Sequence, residues 1–220
     1  MGKKIIAQKR GKGSPTYRVP SYHFQPKLEF RDINGTVTDI VNHPAKLVPL
    51  VQITWDDARK GWLPAPEGIK VGDRIGDYVK QLKDIPVGSK IFAIEMRPNS
   101  GPKLCRASSA LLFSKEKDSC IIKLPSRKDI FLSTLCRAII GNPAADGRKE
   151  KPWIKAGKKA IAMRRRGKFY PVPTASRMNA VDHPFGGKSG VGRSKTVSRT
   201  APPGAKVGSI AARRTGKRKK

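Results

Sequence analysis

The sequence predicts a mainly β protein: two small barrels in series, flanked by long basic irregular N- and C-terminal extensions. Three observations carry this. Residues 1–27 hold 7 basic and no acidic side chains, residues 28–147 hold 18 basic and 14 acidic, and residues 148–220 hold 22 basic and 2 acidic. The balanced middle contains short apolar runs with a period of two, separated by clusters of Gly, Pro, Asn and Ser, which is the texture of short strands and turns. Beyond Asn142, Gly, Pro, Lys and Arg dominate, and such a tail has too little apolar surface to offset the entropy of ordering it alone. The predicted boundaries are a basic arm at 1–27, a first barrel at 28–79, a second at 80–147 and a basic extension at 148–220.

The net charge of +31 on a chain of 220 residues would repel itself strongly if uncompensated, so it calls for a polyanionic partner, of which nucleic acid is the commonest. No apolar stretch is long enough for a membrane span, and no basic amphipathic helix is evident, so no membrane partner is expected. Met1-Gly2-Lys3-Lys4 lacks the apolar run of a signal peptide, and Ile6 stands where a myristoylation site expects Ser or Thr.

In the N-terminal arm, Gly11, Gly13, Pro15, Pro20 and Pro26 predict extended chain without a helix. Tyr17, Tyr22, His23 and Phe24 are interleaved with Lys12, Arg18 and Lys27. Rings among cations can stack on unpaired bases while the cations meet phosphates. The same rings can instead tuck the arm onto its own protein. Lys12, Arg18 and Tyr22 are the arm's candidate RNA contacts.

The first barrel begins after Leu28. Asn34-Gly35 is a turn signal, and residues 35–41 alternate as a half-buried strand. Residues 47–55 form a second run, in which Pro49 predicts an edge or a bulge. Asp56, Asp57 and Gly61 read as a loop, and residues 73–79 as a third strand. In the second barrel the candidate strands are 90–95, 110–113, 120–124 and 130–132, with turns at 85–88, 98–102 and 125–128. Residues 138–141 end like a strand. Cys105, Cys120 and Cys136 are odd in number and too widely spaced for a zinc knuckle, so they read as small apolar side chains, and no metal site is expected.

The tail carries the densest chemistry. Arg164, Arg165, Arg166 and Lys168 precede Phe169 and Tyr170, and arginine forks match phosphate oxygens two at a time and stack on bases. Gly186, Gly187, Gly190 and Gly192 would let the backbone approach phosphate and form an anion-binding nest. Gly187-Lys188-Ser189 is not a nucleotide-binding phosphate loop, since the first glycine of that pattern would fall on Asp182. Asp182 and His183 invite a catalytic reading, but neighbouring side chains of an extended chain point apart and no second partner is near in sequence. No catalytic residue is assigned. Arg177, Asn179, Asp182, His183, Lys188, Arg193 and Arg199 join the candidate RNA contacts, as do Arg213 and Arg214 near the end of the chain.

Residues 177–187, Arg-Met-Asn-Ala-Val-Asp-His-Pro-Phe-Gly-Gly, resemble the signature of the universal large-subunit ribosomal protein family L-two. Pro152-Trp153-Ile154-Lys155-Ala156-Gly157, Ala201-Pro202-Pro203-Gly204 and residues 207–216 are similar to its archaeal and eukaryotic branch. Residues 101–107 resemble the start of the family's second barrel, although the small-residue run that usually follows is replaced by Ser108-Ser109. The resemblance implies an OB-fold barrel followed by an SH3-like barrel, with basic extensions running into rRNA. It implies a structural constituent of the large ribosomal subunit, a primary binder of its rRNA that supports subunit association, tRNA placement and the peptidyl-transferase region. Other ribosomal proteins and small-subunit contacts are the further partners, and the location is the cytoplasmic ribosome. No cofactor is implied beyond magnesium ions shared with rRNA. His183 falls on the family's histidine and is carried over as support for RNA structure.

Two other classes compete. An RNA-processing hydrolase would use His183 and Asp182 but needs a pocket and a further partner. A DNA-compacting protein would suit two barrels between basic arms but gives no reason for the 177–187 signature.

Overall fold

A computed structural model describes residues 2–188 and 195–213. The chain divides into two compact units, one of Pro20–Lys158 and one of Met1–Val19 together with Lys159–Lys220. The fold is mainly β, consistent with an OB-fold followed by an SH3-like barrel.

In the unit Pro20–Lys158, β1 (Gly35–Val41), β2 (Leu50–Trp55) and β3 (Lys60–Pro64) form an antiparallel sheet in that order. β1 starts where the Asn34-Gly35 signal places it. Pro49 lies just before β2, which is the central strand. The predicted bulge sits instead in β1, where the register with β2 shifts between Val37 and Asp39. β3 corrects the expected loop at 56–61. The chain reverses within a few residues, Trp55 N–H donating to Arg59 O at 2.9 Å, and then pairs back along β2. Gly61 reads as a breaker in the sequence, yet it is required by packing: a Cβ there would overlap the indole nitrogen of Trp55.

The third predicted strand, 73–79, is also corrected. Residues Ile75–Asp77 form a 3-10 turn. Asp73 Oδ2 accepts Lys70 N–H at 2.8 Å and Asn34 Oδ1 accepts Gly76 N–H at 2.9 Å. Asp73 gives the backbone a local alternative to a ladder, and Asn34 holds the turn from a distant part of the chain.

The remaining strands are β4 (Val79–Gln81), β5 (Lys90–Phe92), β6 (Ala110–Lys115), β7 (Ser119–Lys123), β8 (Asp129–Ser133) and β9 (Arg137–Ile140). They form one antiparallel sheet in the order β4-β9-β5-β6-β7-β8. Two apolar clusters fill the unit. Val37, Val51, Ile53, Trp55, Leu63 and Ile75 pack with Phe92 and Ile139, so the first cluster draws on both predicted barrels. Leu82, Ile91, Leu112, Ile122 and Leu132 form the second, with Cys120 and Cys136 inside it as free thiols. Burying one such aliphatic side chain is worth about 1.5–3 kcal/mol.

One polar group lies at the centre. Glu95 is fully buried and Arg137 is 6% exposed. Arg137 donates to both carboxylate oxygens of Glu95, at 3.1 and 3.3 Å, to Asn99 Oδ1 at 2.8 Å and to Asp32 Oδ1 at 2.7 Å. The amides of Gly101 and Arg137 also donate to Glu95, at 3.0 and 2.9 Å. The guanidinium lies 5.6 Å from the Phe30 ring centroid. A buried charge is tolerable only when paired and hydrogen-bonded, and here three chain segments, at residues 30–32, 95–101 and 137, meet that condition together.

The second unit contains two helices that correct the expectation of irregular arms. α1 (Ile6–Gly11) runs up to the first of the predicted breakers, Gly11, carries Lys9 and Arg10 in its last turn, and is capped by Gln8, whose Oε1 accepts Ile5 N–H at 3.1 Å. Cations in a last turn suit the helix dipole. α2 (Ala156–Arg165) is rich in Ala, Lys, Met and Arg, strong helix formers that outweigh Gly157 near its start. It closes with Gly167 at φ +63°, whose N–H donates to Arg164 O at 2.9 Å while Lys168 N–H donates to Met163 O at 2.8 Å, the paired bonds of a Schellman motif. Charge dominated the composition of both arms and masked this propensity. Two short parallel strands, β10 (Thr196–Val197) and β11 (Ser209–Ile210), complete the unit.

Candidate nucleic-acid interface

The cationic cluster of the sequence sits on the last turn of α2 and just past it. Arg164, Arg165 and Lys168 are exposed and Arg166 is half-buried. The neighbouring aromatics are engaged within the unit. Tyr17 packs on Phe169 with centroids 5.7 Å apart, and Lys159 Nζ lies 5.1 Å from the Tyr170 centroid. These rings hold the arm, and the exposed cations around them, Lys12 and Arg18 included, face solvent.

The signature segment folds as two consecutive tight turns. The amides of Asp182 and His183 donate to Asn179 O at 3.0 and 3.3 Å. Gly186 N–H donates to His183 O and Gly187 N–H to Met178 O, each at 2.9 Å. The glycines therefore shape the loop. Gly186 is buried, a Cβ there would meet Met178 O at 2.5 Å and overlap Asn179 O, and Gly187 takes φ +94°. Their amides are consumed inside the loop, so the expected anion nest does not form at this pair. Gly190, Gly192, Arg193 and Arg214 lie outside the described residues.

His183 Nδ1 accepts the Phe185 amide at 3.0 Å, and the two rings lie 5.2 Å apart. Phe185 in turn lies against Gly208, where a Cβ would fall 2.9 Å from its ring. Asp182 turns to a different partner, with Lys3 Nζ at 3.8 Å. Among the described residues no hydrogen bond joins Asp182 to His183, so the dyad a hydrolase would need is not assembled. Val181 remains 46% exposed and does not pack the loop.

The loop gathers cations that the sequence reading missed. Lys3 N–H donates to Val181 O at 2.8 Å. A hollow of about 390 Å³ is lined by Lys3, Lys4, Gln8, His183 and Pro203, among others, and a second of about 370 Å³ by Lys4, Lys9, Arg177, Asn179 and Asp182. Lys4 sits so close to Lys12 that its pKa is lowered, first by a hydrogen bond to that side chain and then by its charge. Lys3, Lys4 and Lys9 therefore belong with Arg177, Asn179 and His183. Only the charge of the N-terminal arm hinted at this in the sequence.

Arg177, Asn179, Lys188, Arg199 and Arg213 are exposed in the same unit. Tyr22 belongs to the other unit, 39% exposed and edge-on to His43 at 6.3 Å. Among the described residues no group of three or more His, Cys, Asp or Glu stands together as a metal site, and no helix is long and apolar enough to cross a membrane.

The family described as "Ribosomal Proteins L2, C-terminal domain" matches residues 74–206. Among curated proteins, the Large ribosomal subunit protein uL2 of Archaeoglobus fulgidus is 44% identical, with all of both chains covered. That of Methanothermobacter thermautotrophicus is 42% identical over all of both chains, and that of Methanococcoides burtonii is 42% identical over 99% of this chain and all of its own. With the 177–187 loop, the mainly β core and full-length likeness in agreement, the chain belongs to the ribosomal protein L2 family.

Proposed function

We propose that this protein is a structural constituent of the large ribosomal subunit, held there by its rRNA. The observation that carries this reading is the unit Met1–Val19 with Lys159–Lys220, which has 23 basic side chains against the single acid Asp182. Among its described residues only Ile5 and Gly186 are buried. Without an apolar core or internal counter-charges, such a unit needs a polyanion to hold it. Residues 28–79 act as the OB-fold and residues 80–147 as the SH3-like barrel, docking by shape and phosphate contact. The extensions at 1–27 and 148–220 neutralise phosphates that would otherwise repel each other on close packing. Arg164–Arg166, Lys168, Arg177, Asn179, Asp182, His183, Lys188, Arg193, Arg199, Arg213, Arg214, Lys12, Arg18 and Tyr22 supply contacts, with magnesium entering only as an ion shared with RNA. The assembled particle supplies neighbouring ribosomal proteins and small-subunit contacts, and the protein supports subunit association, tRNA placement and the peptidyl-transferase region.

Affinity for large-subunit rRNA should fall by about 10³-fold or more between roughly 50 and 200 mM salt, the behaviour of six or more phosphate contacts. A salt-independent affinity would overturn the reading. In the same particles His183→Gln should alter assembly and peptide-bond formation together. Normal assembly with chemistry lost by many orders of magnitude would favour an enzyme instead.

A further inference from the structure

A second cationic site lies in the unit Pro20–Lys158, apart from every candidate contact named above except Tyr22. Residues 20–28 form a strap that shares a hollow with residues 45–48, Leu50 and Pro64. Lys46 Nζ donates to the carbonyl of His23 at 3.1 Å and so ties the strap down. His23 meets Phe24 edge-on, centroids 5.7 Å apart, yet Phe24 stays 70% exposed. A large ring held by its neighbour and left mostly in solvent is costly unless something covers it.

Two hollows adjoin this ring. One of about 570 Å³ is lined by Phe24, Leu28, Lys46, Leu47 and Arg106, among others. The other, of about 320 Å³, shares Phe24, Leu28, Lys46 and Arg106 and adds Lys27 and Lys103. Both lie at the scale of small-ligand sites, roughly 300–1,000 Å³. Lys46 and Arg106 are close enough that Arg106 adds to burial in pulling the Lys46 pKa below its ordinary value. Among the described residues neither cation is in an ion pair with a carboxylate. The one carboxylate lining the second hollow, Glu29, is held by Lys27 at 3.6 Å and Arg31 at 3.3 Å. The combination is therefore an open aromatic ring beside two crowded cations without counter-ions, over an apolar floor. A stacked base with its phosphate satisfies all three at once.

We propose that this cleft takes one unpaired nucleotide of the bound RNA, its base stacked on Phe24 and its phosphate between Lys46 and Arg106. The proposal rests on the rRNA-binding reading and adds to it a site for single-stranded RNA where the end of the N-terminal arm meets Lys46 and Arg106. Recognition is of shape and charge, without preference among bases, because every base has a face to stack.

The test uses the full chain and a short single-stranded RNA of uridines carrying 5-iodouridine, cross-linked by light and mapped by mass spectrometry. Phe24 should carry a cross-link, and Arg106→Gln should lower its yield roughly fivefold or more. Phe24→Ala should weaken binding of the single strand roughly fivefold to a hundredfold, the range of one lost stacking contact. Its melting temperature should not change, since the ring is exposed. Cross-links confined to residues outside 20–28, 46 and 106, with a silent Phe24→Ala, would overturn the cleft. So would a glutamate-rich peptide that occupies it in preference to RNA. Affinity for folded large-subunit rRNA is measured in parallel. If that affinity is strong and salt-dependent while Phe24 is unlabelled, the cleft alone is wrong; if it is absent, the rRNA reading fails and the cleft falls with it.

Discussion

The two units carry nearly equal numbers of cations and use them in opposite ways. Pro20–Lys158 has 24 basic side chains and 15 acidic ones, whereas Met1–Val19 with Lys159–Lys220 has 23 and 1. In the first, acids are at hand to pair with them: Arg137 meets Glu95 and Asp32, Arg31 meets Glu29 and Asp57, and Arg74 meets Asp56. In the second, Asp182 is the one acid, and it meets Lys3. The apolar balance follows the same division, with two packed clusters in one unit and Ile5 and Gly186 as the buried described residues of the other. The supply of carboxylates, more than the number of lysines and arginines, separates a unit whose cations find partners of their own from one that carries them in large excess.

The sharpest way to break this contrast is to remove an internal acid from the first unit. Glu95→Ala leaves Arg137 with Asp32 alone as a carboxylate partner, strands the amides of Gly101 and Arg137, and should cost about 3–5 kcal/mol of stability, seen as a large drop in the denaturation midpoint. The salt dependence of RNA binding by the protein that remains folded should not change. A loss well under 1 kcal/mol would mean that the network is not the keystone its geometry makes it. The converse change acts on the second unit. Arg164→Gln, Arg165→Gln and Arg166→Gln together should leave the melting temperature alone while lowering the log–log salt slope for rRNA by about 3, one per lost phosphate contact. A shift in melting temperature with an unchanged slope would show that these side chains serve the fold.

The smallest effect sharpens the comparison within the cationic unit. The neighbouring Lys12 lowers the Lys4 pKa, so without RNA Lys4 loses its proton at lower pH than an ordinary lysine. Below that lowered pKa Lys4 carries its proton and its charge, and above it Lys4 is neutral and contributes nothing to phosphate binding. Bound phosphate should push the pKa back up, and Lys12→Gln should do the same without RNA. Nζ titration by NMR reads both, and a Lys4 pKa unmoved by either change would remove the pairing.

The strands of the middle were legible where an alternating or short continuous apolar run stood between turn signals, as in β1, β7 and β8. β3 was hidden because Asp56, Asp57 and Gly61 read as a loop, when Gly61 is there to make room for the Trp55 indole. The helices α1 and α2 were hidden by composition, since their propensity is local and the charge of the arms is not. In the site, the run Arg164–Arg166 stood out because it is contiguous. Lys3, Lys4 and Lys9 beside Arg177 and His183 did not, because only the folded chain brings its opposite ends into one loop cluster. Glu95 and Arg137, 42 positions apart, left no pattern in either neighbourhood.

The bond from the Phe185 amide to His183 Nδ1 gives the loop a polarity. A neutral imidazole has one nitrogen that accepts and one that donates. With the accepting nitrogen occupied by the backbone, the tautomer is pinned and Nε2 is left as the donor. The ring therefore discriminates by hydrogen-bond sense: it welcomes a phosphate oxygen, a ribose hydroxyl oxygen or the N7 and O6 edge of a guanine, and it rejects an exocyclic amino group. A loop closed by its own backbone thus fixes which edge of a nucleotide it can read.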